Sequence, residues 1–597
     1  MMIPNLSEAT IRRHAIAQSF ERGLEYYESG SVVSLVQRGK ELTGLVEGSD
    51  VYPYRVSVGF DPGGITRAGC TCPYAFEGWC KHIVAVLLTC VHDPDQIEQR
   101  AELAALLVPL NRHQLKTILQ NLVEARPEWI DAIEQEIACL PESTLQPQTP
   151  AKAQARSSPP RRTSVDPAPI ERQVQNILYS YQGQWNDDPA IDEVRQIVYK
   201  ADKFLEQGDG NNALIILGAV TRAYSRDWMN LDGSSGESGM FLEELDDALT
   251  EALLSAELSE GDRQRWWQDL ENWQAESADY GVDTFCMSLT ALEQGWDYPP
   301  LQRVLQGESG LSAWEEEAPD YANDLARIRL RILERQGRYE EYLHLAEAEG
   351  QTDCYLRMLA KLGRTEDAIA QAQRQMSTVN EAMTLAYTLR ERGELEQALL
   401  IATQGLSLDG YGKHQLAEWA SELAAGMDQP DVALNARIAA FKDYPSLADY
   451  QKVQELAGDQ WETLKPDLLN VLRDPAQYGG ESAKVEILLA EGLLDEAIAT
   501  VDQLHSFQSD AIQAVMGAAI PHRSDWVIAN ARRRAESIMD SGKAKHYFRA
   551  IEWLRRVRAA YLQLEQPQVW QQYHADLMQT HSRKRKLTAM LRDQALA

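Results

Sequence analysis

The chain has 597 residues, too many for one hydrophobic core, so several domains or an extended array are expected. Its formal charge is -32, with 90 Asp and Glu against 58 Lys and Arg, which argues against a nucleic-acid surface running along the whole molecule. The opening residues are polar and charged rather than a signal peptide, and the apolar stretch Ile83 to Cys90 is too short to span a membrane. Seven cysteines, odd in number and scattered outside one motif, fit a reducing cytoplasm.

Residues 7 to 28 read as one helix. Ser7 can cap it, and Ile11, Ala15, Phe20, Leu24 and Tyr27 recur at helical spacing until Gly30 stops it. Four strands are expected next: Val32 to Gln37, Glu41 to Val46, Tyr52 to Phe60 and Ile65 to Cys72. They are rich in β-branched and aromatic residues and separated by glycine-containing turns, as in an antiparallel meander.

The strongest chemical signal follows. Cys70, Cys72, Cys80 and His82 are arranged C-x-C, seven residues, C-x-H, which can close a tetrahedral shell around one zinc ion. Cysteines two apart on an extended strand face the same side, and Pro73 then turns the chain. Tyr74, Phe76 and Trp79 are available to shield the site, and Gly78 can form a tight bend. Soft and borderline ligands favour zinc over magnesium or calcium. A disulfide is disfavoured because nothing points to an oxidising compartment, and an iron–sulfur cluster normally takes four thiolates. Cys90 and His92 imitate a second C-x-H but would lie about 12 Å further along a helix, too far to share the ion.

With Arg22 to Gly30 upstream, the tract Tyr54 to Val58 and the run Cys80 to Ala85, this pattern resembles the SWIM zinc finger over about the first 95 residues. For that family the resemblance implies a small zinc module that binds DNA or other proteins, attached to varied partner domains. Residues 1 to 92 hold eight Lys and Arg against nine Asp and Glu, so the module is nearly neutral.

Residues 96 to 140 read as a helical extension. Its apolar stripe of Leu103, Leu106, Leu107, Leu110, Leu115, Ile118 and Leu122 is expected to pack on the zinc module. From 141 to 170 the composition shifts to Pro, Ser, Gln and Thr, a flexible linker whose Lys152, Arg156, Arg161 and Arg162 read first as a solvated tether, with a tail that supplements phosphate binding as the alternative.

Residues 171 to 330 form a less regular helical region. Gly208 to Ala213 suggests a helical turn, Asn230 to Gly233 only faintly imitates a calcium loop, and Trp266, Trp267 and Trp273 are core or groove-lining residues. Cys139, Cys286 and Cys354 read as small buried hydrophobes. From 331 to 597, segments opening on Gly337, Gly363, Gly393 and Gly492 repeat one idea: glycine turns the chain, an acidic stretch opens the next helix, and Ala or Tyr packs closely. They resemble tetratricopeptide-type hairpins. The expected fold is therefore mainly α, a small α+β zinc module followed by a tetratricopeptide-like α-solenoid. Arg555, Arg556, Arg558, Arg583 to Lys586 and Arg592 make the C-terminal end basic; a solvated capping helix is the default reading, and contact with an anionic partner or the acidic body the alternative.

The chain lacks H-E-x-x-H, the phosphate-loop pattern and G-x-S-x-G, and a closed zinc shell leaves no site for substrate. The expectation is a cytoplasmic, non-catalytic adaptor with one structural zinc. It would take a protein partner through the repeats and DNA or RNA through the module and basic linker, with no membrane partner; the alternative is a purely protein-binding scaffold.

Overall fold

The computed structural model describes residues 3–592 except 5, 49, 51, 75–77, 127–163, 183–187, 232–235, 279–283, 309, 311, 316, 475–480 and 504–508. The expected linker, its four basic residues and Cys139 therefore lie largely or wholly outside the described residues. The chain divides into two compact units, residues 1–99 with 402–597, and residues 100–401.

The N-terminal module begins with α1 (Glu8–His14) and α2 (Ala17–Glu28) in place of the single expected helix. Ser7 caps α1 as expected, its side chain accepting from the Thr10 amide at 3.2 Å. The break comes at Ala15, in extended conformation, and it frees the His14 carbonyl to accept from the Trp79 amide at 2.7 Å. A continuous helix would have kept that carbonyl for its own ladder.

Strands β1 (Val32–Arg38), β2 (Glu41–Val46), β3 (Tyr54–Asp61) and β4 (Gly64–Cys70) form the expected meander. A short β5 (Glu98–Gln99) adds in parallel beside β1. Helix α3 (Lys81–His92) lies between the sheet and the α1–α2 pair. Both its faces are covered, so every residue from His82 to Cys90 is buried, and an uninterrupted apolar run suits that position. The fit is close. A Cβ on Gly23 of α2 would fall 2.4 Å from Val84, and one on Gly44 of β2 would fall 2.6 Å from Val86.

Beyond the module the described chain is helical. Gly337, Gly363, Gly393 and Gly492 all adopt positive φ at the helix ends the sequence marks. Each is followed by an amide that reaches back five residues, as Arg338 does to Leu333 and Leu493 to Leu488, satisfying carbonyls the helix end leaves open. Gly208 makes the same turn, with the Asp209 amide on the Phe204 carbonyl at 2.8 Å. Two further hairpins carry no glycine signature: Asp428 and Glu565 take the positive-φ position, and Gln429 and Gln566 reach back to Ala424 and Tyr561 at 2.9 Å.

The stripe of the helical extension does not behave as expected. Helices form over Leu103–Leu107 and Arg112–Ala125, yet Leu103, Leu106, Ile118 and Leu122 are exposed, Leu103 at 68%. Helical spacing says which side chains share a face; it does not say that anything covers that face. Trp273, by contrast, is core, with Trp266 and Trp267 packed beside it; a Cβ on Gly218 would meet the Trp266 ring at 2.3 Å. Of the faint calcium loop, residues 232–235 lie outside the described residues; Asn230 Nδ2 donates to the Asp227 carbonyl. Cys354 is buried and Cys286 half-buried.

Within the first unit, the zinc module rests on the helix Lys413–Gly426. Arg13 of α1 pairs with Glu422 at 3.4 Å, and the Pro62 carbonyl of the β3–β4 turn lies directly over Gly426. Asp61 shapes that turn, its carboxylate accepting from the Gly63 amide at 2.8 Å.

Candidate metal centre

Two local structures deliver the four ligands. Cys70 ends β4, opposite Val56 of β3, and the Thr71 amide and hydroxyl bond the Arg55 backbone at 3.0 and 2.9 Å, so the strand pair holds the chain rigid up to Cys72. Cys80 is the N-cap of α3 and His82 lies in its first turn, so the apolar core that anchors α3 also fixes the second pair. The ligand atoms of Cys70, Cys72, Cys80 and His82 all lie within 4.8 Å of one another. Cys70 Sγ is 3.6 Å from His82 Nδ1. Zn–S near 2.3 Å and Zn–N near 2.05 Å give a tetrahedral S–N edge of about 3.6 Å, so the residues fit a zinc ion.

The surroundings favour charge on one sulfur, that of Cys80. Cys80 is pushed down to about 4 by a hydrogen bond from Cys70, against the effect of burial, with further help from His82 and the Ile83 amide. Cys70 is pushed up, by sharing its proton with Cys80 and by burial; burial also raises Cys72. Within the cluster, charge is thus favoured on Cys80 over Cys70 and Cys72. A cation at the centre would relieve the competition by accepting all three as thiolates.

The shield around the site differs in part from the sequence expectation. Tyr54 stacks on the His82 ring at 4.4 Å between centroids, and Tyr26 meets it edge-on at 5.4 Å while accepting from Lys81 Nζ at 2.8 Å. Trp79 stacks on His14 at 4.6 Å, and Tyr74 bonds Ser19 at 3.0 Å, so both pin the ligand loop to α1 and α2. Phe76 lies outside the described residues. Gly78 has φ +78°, and a Cβ there would fall 2.6 Å from the His14 carbonyl, so the bend is both left-handed and tightly covered. His14, Tyr26 and Tyr54 lie 28 to 68 positions from the ligands they serve or brace, beyond what motif spacing can reveal.

Cys90 and His92 stay apart from this cluster. Cys90 is buried, which pushes its thiol up to about 12, and His92 ends α3 with its Nε2 3.8 Å from Glu8. Among the described residues one other group has metal-like proximity: His414, Glu418 and Asp449. Here Arg437 Nη1 donates to both Glu418 and Asp449 at 2.8 Å, so a buried guanidinium already neutralises the carboxylates. No described helix is long and apolar enough to cross a membrane.

Comparison with known proteins agrees with the site. Residues 54–91 match the SWIM zinc finger family. A stretch of 118 residues is 32% identical to Zinc finger SWIM domain-containing protein 8 of Homo sapiens, covering 19% of this chain and 6% of that protein. The Bos taurus protein of the same name matches at 32% over 118 residues, 19% of this chain and 8% of its own length. The Drosophila melanogaster homolog is 33% identical over 115 residues, 5% of its length. The likeness thus spans less than a tenth of each relative. Residues 54–91 of this chain carry a SWIM zinc finger, with Cys70, Cys72, Cys80 and His82 gathered as its candidate ligands.

Proposed function

We propose that this protein is a zinc-binding, non-catalytic adaptor. One structural zinc, held by Cys70, Cys72, Cys80 and His82, ties the β3–β4 end of the sheet to the start of α3, and the helical hairpins offer a protein-interaction scaffold. The observation that carries this reading is the clustering of four soft ligands at the junction of sheet and helix, with Cys80 and His82 buried. A closed shell of protein ligands supports structure rather than catalysis. Zinc bound there would stabilise the module by supplying a cross-link that its small core needs.

Protein is the favoured partner of the module itself. Its eight Lys and Arg are matched by nine Asp and Glu over residues 1 to 92, and three of them, Arg12, Arg13 and Arg67, pair with Glu8, Glu422 and Glu41, so its charge is near neutral. Contact of the finger with DNA is the second reading, supported by the family likeness. Zinc analysis of the purified full chain should give about one equivalent, and fluorescence anisotropy with labelled duplex DNA separates the two readings. Duplex binding that is lost in Cys72→Ser supports the DNA reading. No Cys72-dependent binding at low salt supports the protein scaffold, and absence of zinc under reducing, chelator-free conditions defeats both.

A further inference from the structure

The last described 70 residues reverse the character of the chain. Residues 523–592 hold 15 Lys and Arg against six Asp and Glu, in a protein that carries -32 overall. Part of that charge lies on two segments that meet. The helix Ser524–Asp540 ends beside the turn after Thr580: Lys584 Nζ donates to the Met539 carbonyl at 2.6 Å, and His581 Nε2 lies 3.9 Å from Asp540. This joins the loop with Lys543 and Lys545, and Arg549 in the first turn of the helix Tyr547–Gln563, to Arg583, Arg585 and Lys586.

All six of those side chains are exposed, and none forms an ion pair with a described residue. Many arginines elsewhere are paired: Arg195 meets Asp192, Glu237 and Glu244, and Arg331 and Arg335 share Glu251. Where acid is so abundant, six unpaired cations on two converging segments form a site without its counter-charge. Lys584 has a local role, at the carbonyl end of a helix. Phe548, 49% exposed and next to Arg549, adds an aromatic face. His546 lies among the cations, held below its ordinary value by desolvation and by Lys545, Arg549 and Lys543.

We propose that this C-terminal surface binds single-stranded nucleic acid, with Lys543, Lys545, Arg549, Arg583, Arg585 and Lys586 on the phosphates and Phe548 against a base. Spaced cations beside an exposed aromatic suit a flexible polyanion whose bases are free to stack. The proposal stands independently of the partner assigned to the zinc module.

The test is fluorescence anisotropy of the full chain with labelled 20-nucleotide DNA and RNA. Six phosphate contacts predict a log–log salt slope of about -4, an affinity loss of about 300-fold between 50 and 200 mM salt. The triple variant Lys543→Ala, Lys545→Ala, Arg549→Ala should halve the slope, leaving about a 20-fold loss. Arg583→Ala, Arg585→Ala, Lys586→Ala should do the same from the other segment, with circular dichroism confirming the fold. Binding to either strand type should also raise the titration midpoint of His546 by NMR. Absence of salt-sensitive binding, or an unchanged slope in both triple variants, overturns the proposal. So does binding lost only in Cys72→Ser, which moves the phosphate contact to the zinc module, or binding to anionic phosphatidylserine vesicles without binding to oligonucleotide.

Discussion

Gly426 lies so close beneath Pro62 that a Cβ built on it would fall 1.8 Å from the Pro62 carbonyl oxygen. The obstacle is backbone, held by the Asp61 turn, so it cannot move aside as a side chain would. Residues 364 positions apart in sequence thereby set how the zinc module rests on the helix Lys413–Gly426. Gly426→Ala should cost about 1–3 kcal/mol or lift the β3–β4 turn from the helix. Hydrogen exchange at residues 59–65 reports the second outcome; unchanged exchange and unchanged Tm would refute the contact.

Removing a zinc ligand should unfold the module selectively. Cys72→Ser and His82→Ala are each expected to abolish the single equivalent of zinc and to open residues 54–91 to limited proteolysis, while the helical hairpins keep their circular dichroism. Chelation of the wild type should reproduce the pattern. Native zinc content in both variants would remove these residues from the site.

Stability should depend on pH through the cluster behind Gly426. His414 Nε2 lies 3.0 Å from Asp449, and the hydrogen bond raises the imidazole above its ordinary value despite partial burial. Its contribution is complete below about pH 6.5 and is lost as pH rises through the raised value. Asp449 behaves oppositely: although burial opposes the charge, hydrogen bonds from His414, Ser446 and Arg437 bring it to about 2, so its contribution is lost as pH falls below about 4. Thermal unfolding between pH 4 and 9 should therefore show a decline on the alkaline side that His414→Gln abolishes. Asp449→Asn should cost about 3 kcal/mol, because it leaves the buried Arg437 with a weakened partner set.

Asp428 and Glu565 adopt φ of 56° and 57° at the helix-end position that Gly337, Gly363, Gly393 and Gly492 take in other hairpins. Side chains with a Cβ are strained there, so Asp428→Gly and Glu565→Gly should each add about 1 kcal/mol. A fall in Tm for both would show that contacts of the native side chains outweigh the backbone cost.

Arg329 is 1% exposed and donates to the Gln294 side chain at 2.8 Å, while its Nε finds no partner among the described residues. Burial pulls the guanidinium down to about 10, opposed only in part by Glu349. A well-packed apolar replacement, Arg329→Met, should leave stability unchanged or raise it by up to about 2 kcal/mol. A substantial loss, measured by urea unfolding, would mean that Arg329 is satisfied by groups beyond those described.

The sequence alone determined what is written over short spans. Four ligands lie within 13 residues, so their chemistry was legible before any fold was known. The meander and the glycine-turned hairpins were equally plain, because alternation, helical period and positive φ are local properties. Legibility ended where an ordinary residue took a special backbone angle, as at Asp428, or where a helix broke to serve a distant amide, as at His14. Tertiary structure decided the rest. It set Gly426 under Pro62, buried Arg437 between two carboxylates, left Leu103 in solvent and brought Lys584 to the Met539 carbonyl. Each depends on which surfaces meet across long stretches of chain, and residue spacing carries no information about what lies opposite a face.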